Sequence, residues 1–63
     1  MTLTELEMEV DRHGLKDVLE MLAEIAAEKA QHIRENWQDV PLAYKWDQAS
    51  SLVLYAANQV RLP

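Results

Sequence analysis

Apolar positions recur at helical spacing in three stretches of this chain, and the rare glycine and proline residues separate them. Leu3, Leu6 and Val10 follow Thr2-Leu3-Thr4-Glu5, which has the form of a capping box with Thr2 as N-cap and Glu5 three residues later. Gly14 then suits a left-handed C-terminal cap, with Leu15 in the position of the hydrophobic contact that accompanies such caps. The pattern predicts a short helix over about 3–13, too short to persist in water without packing on the rest.

Residues 15–37 read as one long helix. Leu15, Val18, Leu19, Leu22, Ile25, Ala26, Ile33 and Trp37 form a stripe. Asp17, Glu20, Glu24, Glu28 and Glu35 fall opposite it, within about 80° at roughly 100° per residue. Good helix formers dominate the segment and no proline interrupts it. Val40-Pro41 marks the boundary, because the residue before a proline avoids helical geometry while proline suits the first helical position. Asp39 or Val40 becomes the N-cap of a third helix over about 41–60, whose expected core stripe is Leu42, Trp46, Ala49, Val53, Ala56 and Val60. The short connection lays helices two and three antiparallel, as a hairpin. Nothing alternates apolar and polar over six residues, so the expected fold is all-α, a single small helical domain over 1–63.

Composition adds a problem of surplus. Of the 63 residues 31 are hydrophobic, and 23 remain after eight alanines are set aside. That is more than one three-helix monomer encloses comfortably. A chain of about 60 residues buries only about 60% of its unfolded surface, and domains of this size without disulfides or metals gain stability by oligomerising. With no cysteine there is no disulfide, thiolate metal site or thiol nucleophile. The expected assembly is a homodimer, two hairpins forming a four-helix bundle with helix one bracing the outside.

Charge sharpens where the partner should sit. The net charge of −5 lies entirely in the first 35 residues, and the remaining 28 are neutral. Gln48 through Val60 contains no charged side chain, so more than three turns of helix three are uncharged on every face. A hairpin covers only one of those faces. Tyr44, Leu52, Leu54 and Tyr55 are the residues expected at an intermolecular surface, and Ala49, Ser50, Ala56 and Ala57 would admit close helix approach. The alternative is that helix one folds back over this surface within the monomer.

Candidate chemistry is sparse. Glu9…His13 and Glu28…His32 share the i, i+4 spacing, but the Glu-x-x-His motif of carboxylate-bridged di-metal bundles is absent. Ordinary polar histidines explain the pattern, His13 complementing a helix C-terminus. Ser50 and Ser51 have no histidine near them in sequence, and Gly14 alone makes no phosphate loop. Trp37, Trp46 and Tyr44 either clamp the hairpin end or line a pocket between subunits. No enzyme activity, cofactor or metal is expected. The acidic balance argues against direct nucleic-acid binding, whose affinity comes from Lys and Arg. No apolar run approaches the roughly 20 residues of a membrane span, and the acidic N-terminus does not resemble a signal peptide. A cytoplasmic location is therefore expected. The chain reads as a protein–protein interaction module, an adaptor, regulator or inhibitor. The alternative is an acidic decoy whose row Asp17, Glu20, Glu24, Glu28 and Glu35 imitates nucleic acid and occupies a basic groove of a partner.

Overall fold

Thr2 opens the first helix through the capping box. Its hydroxyl accepts the Glu5 backbone N–H and the Glu5 carboxylate accepts that of Thr2, both at 3.1 Å. In the computed structural model, which describes residues 1–62, helix α1 then runs Leu3–His13. Helix α2 spans Leu15–His32 and continues directly into one π turn, Ile33–Trp37. Helix α3 spans Val40–Gln59. These boundaries match the expected ones to within a residue, apart from the π turn, and no strand occurs among the described residues.

Gly14 both ends α1 and starts α2. Its N–H donates to the Val10 carbonyl at 2.7 Å, and its carbonyl accepts from Val18 at 3.1 Å. The positive φ of 89° agrees with the sequence, but ψ of 151° does not make a left-handed cap. This is the extended mirror region, open essentially to glycine alone, and it redirects the chain. At the other end of α2, Gln38 takes the left-handed conformation (φ 53°, ψ 29°) and donates to the Ile33 carbonyl at 2.9 Å. Asp39, the N-cap of α3, accepts the Leu42 N–H at 3.1 Å, with Pro41 in the first turn.

The hairpin is closed by small side chains. Val18, Ala23, Ala26, Ala30 and Ile33 are buried on α2 and its π turn, and Ala43 and Ala57 on α3. With the half-buried Leu19 on α2, Trp46, Ser50 and Val53 on α3, and Val60 at the C-cap of α3, the seam repeats at alternating steps of three and four residues on both helices. Ser50 Oγ donates to the Ala23 carbonyl at 2.7 Å, a contact between helices that only a close approach permits. Seven residues further along each antiparallel helix, Ala30 comes opposite Ala43, and both are fully buried.

The expected core stripes are therefore corrected. Leu15, Leu22, Ile25 and Trp37 are exposed on α2 and its π turn, and Ala56 is exposed on α3, while Ala57 takes the buried position. The helices turn their small residues inward because small side chains let the backbones meet, and the larger apolar residues flank the line of contact. Ser50 and Ala57, expected to admit a partner, are spent inside the hairpin.

Helix α1 packs against α2 alone. None of its residues is buried; Leu6, Glu9 and Val10 are half-buried. The fold-back of helix one over helix three is thereby overturned, because the narrow stripe of α1 is spent on α2. The resulting molecule measures 40 × 25 × 13 Å, about one helix deep. Its radius of gyration is 13.4 Å, against about 11 Å for a compact chain of this length. No helix among the described residues is long and apolar enough to cross a membrane.

Candidate interaction surface

Rotation at about 100° per residue divides the hairpin into two flanks. With Ala26 directed at α3, Leu22, Ile25 and Lys29 fall on one flank of α2, and Ala27, Ala30 and Arg34 on the other. On α3, with Ser50 directed at α2, Leu42, Trp46, Ala49 and Val53 fall on the first flank, and Asp47, Ser51 and Asn58 on the second. Two contacts agree with this division. Arg34 pairs with Asp47 across the second flank. On the first, Ile25, Lys29, Ile33, Trp37, Leu42 and Trp46 line one open groove of about 590 Å³, with Glu28 and His32 at its rim.

The groove is open and mainly apolar, and Leu22 lies beside it on the same flank. Ile25 is 50% exposed, Leu22 45% and Trp37 67%. The Lys29 ammonium sits over the Trp46 ring, 5.9 Å from its centroid, a contact worth about 0.5–1 kcal/mol at an exposed site. The volume falls within the range of about 300–1,000 Å³ typical of small-molecule sites. Its open side does not enclose a ligand, and the shape suits an elongated apolar surface such as a helix. The Arg34–Asp47 pair, about half exposed on both sides, contributes little stability.

The surface expected on helix three is exposed throughout, with Tyr44, Leu52, Leu54 and Tyr55 between 45% and 70% accessible. Tyr44 and Leu52 border one shallow depression together with Asp47, Gln48 and Ser51. Leu54 and Tyr55 lie outside it. Trp37 and Trp46 meet in the groove, whereas Tyr44 belongs to the other side of α3. The acidic row Asp17, Glu20, Glu24, Glu28 and Glu35 is fully on the surface. Glu35 accepts a hydrogen bond from Gln31, and Glu28 reaches the groove rim.

Neither histidine stands in a ligand set. His13 lies 3.4 Å from Glu9, and His32 Nδ1 lies 3.1 Å from the Asn36 side chain. Among the described residues no three His, Asp or Glu side chains converge. The groove residues Ile25, Trp37 and Leu42 are legible in the sequence as apolar, which by itself points them to the core. The signal for their true place is the alanine spacing on both helices, which reserves the seam for small residues.

No family model, curated protein or solved structure matches this chain.

Proposed function

We propose that this chain is a small non-enzymatic interaction module of the cytoplasm, an adaptor, regulator or inhibitor, that self-associates through helix three and acts by binding another protein. One observation carries the reading. The chain exposes 5099 Å², whereas a folded monomer of 7.3 kDa exposes about 4,200 Å². Large apolar and aromatic side chains contribute to that surface, since Leu22, Ile25, Trp37, Tyr44, Leu52, Leu54 and Tyr55 are all exposed. Patches of this kind mark interaction sites on small proteins. Light scattering tests self-association: a mass of twice the chain supports it, and a monomer at all concentrations sinks it. Affinity purification from the source cell, with identification of the co-purifying protein, tests the partner.

A second reading draws on the acidic row. Asp17, Glu20, Glu24 and Glu28 are exposed and form no ion pair among the described residues. An acidic decoy of this kind binds a basic partner in a salt-sensitive way. Glu24→Lys with Glu28→Lys should weaken that binding severalfold, and binding indifferent to salt discards the reading.

A further inference from the structure

On the groove flank α3 carries Leu42, Trp46, Ala49, Val53 and Ala56 without one polar residue, and Leu42 and Trp46 of these line the groove itself. The outer side of the same helix interrupts Tyr44, Leu52 and Tyr55 with Gln48, Ser51 and Gln59. The groove also draws on two helices, adding Ile25 and Lys29 from α2, with Leu22 on the same flank, while the outer side belongs to α3 alone. From this asymmetry we infer that a second copy of the chain seats on the groove face, two hairpins packing about a two-fold axis as a four-helix bundle. The inference rests on the self-association reading and moves its contact from the outer side of helix three, with Tyr44, Leu52 and Tyr55, to the flank that α3 shares with α2.

The exposed area is what a dimer of this chain needs. The chain exposes 5099 Å², about 900 Å² more than a folded monomer of its mass. A standard interface removes about 800 Å² from each partner, so one such contact brings the surface to its ordinary value. The flat shape agrees: a layer 13 Å deep lacks a second layer, and most domains are built from two. A two-fold axis makes the interface self-complementary. The groove rim supplies the charges such an interface uses, Lys29 with its ammonium over Trp46 and Glu28 beside it. Each copy then brings one base to the other's acid.

The two tryptophans make the face directly observable. Both line the groove and the chain has no others. Sedimentation equilibrium of the full chain, with tryptophan emission recorded over the same dilution series, is the experiment. The expected result is a dimer whose dissociation is accompanied by a red shift of emission. Ile25→Glu and Leu22→Glu should each raise the dimer dissociation constant at least about 100-fold, because each buries an unpaired charge at the contact. Helicity by circular dichroism should persist, since both positions are about half exposed in the single chain. Tyr55→Glu and Leu52→Glu should leave the dimer intact.

The outcomes separate two failures. A wild-type monomer at every concentration overturns the self-association reading and this inference with it. A wild-type dimer that dissociates without a change in tryptophan emission overturns the face alone. The face is likewise overturned if Tyr55→Glu or Leu52→Glu breaks the dimer while Ile25→Glu does not. Should the glutamate variants lose helicity, the emission series on the unmodified chain decides.

Discussion

Two regions of the hairpin, separated by the width of one side chain, solve different problems. The seam between α2 and α3 is lined by Ala23, Ala26, Ala30, Ala43, Ser50 and Ala57, and the groove beside it by Ile25, Trp37, Leu42 and Trp46. An alanine removes little more than one methyl group from water, worth about 0.8 kcal/mol, whereas a fully buried Leu or Ile is worth about 1.5–3 kcal/mol. The seam therefore sets distance and register, while most of the available apolar stabilisation lies in the groove and is only partly realised within one chain. Small residues specify geometry here, and large ones hold affinity in reserve.

The contrast is broken most severely at the seam. Ala30→Leu places three extra carbons where the side chain is fully buried against the facing helix. Overpacking of this kind costs about 1–3 kcal/mol, and at about 4–8 °C per kcal/mol for a domain of this size the melting temperature should fall by about 4–24 °C. Thermal circular dichroism checks it; an unchanged transition would mean that the helices are further apart than the Ser50–Ala23 contact implies. Gly14→Ala comes next. Nothing lies within 4 Å of the added carbon, so the cost is backbone strain alone, about 1–3 kcal/mol. It should appear in hydrogen exchange as lost protection of α1 with the hairpin preserved.

Ser50→Ala removes the one hydroxyl that crosses the seam and should destabilise by about 1 kcal/mol in chemical denaturation. The groove sharpens the comparison from the other side. Ile25→Ala should cost under about 1 kcal/mol in dilute protein, because the side chain is already half in water there, and more as concentration rises and ligation by a second copy stabilises the fold. Melting curves at two concentrations a hundredfold apart distinguish the two costs. Smallest is Arg34→Ala, which removes a half-exposed ion pair and should change stability by less than about 1 kcal/mol, with the difference disappearing in high salt.

The helices are legible in the sequence because their signals are local. The Thr2–Glu5 capping box, Gly14, and Asp39 ahead of Pro41 each act within four residues, and the start of each helix and the end of α1 follow from one of them. The rotation of the helices about their own axes is not legible. Periodicity weighs Leu and Trp above Ala, so it directs Leu22, Ile25 and Trp37 toward the neighbouring helix, whereas close packing of two helices favours the smallest side chains. The groove is hidden for the same reason, since its residues have the composition and spacing of a core. Tyr44, Leu52, Leu54 and Tyr55 read as exposed and are exposed, because a single neighbouring helix covers only one face of α3. The conformation of Gly14 is half legible: sequence argues for a positive φ and says nothing of ψ. The π turn leaves no such trace, as no residue type in Ile33–Trp37 demands it.

That π turn has a consequence for changes in chain length. A helix that gains a single residue must either rotate everything beyond the insertion or widen locally to absorb it, and a π turn is the widened form. The widening between Ile33 and Trp37, closed by the Gln38 N–H on the Ile33 carbonyl, lies just before α3 begins. Loss of one residue here, Glu35 for example, can be taken up by reverting to ordinary α-helical winding, leaving the Ala30–Ala43 register and the entry into α3 in place. The same loss in mid-helix, at Ala26 or Ala27, would carry every alanine on its far side out of the seam. This corner is thus the point where the loss of one codon should leave the hairpin aligned.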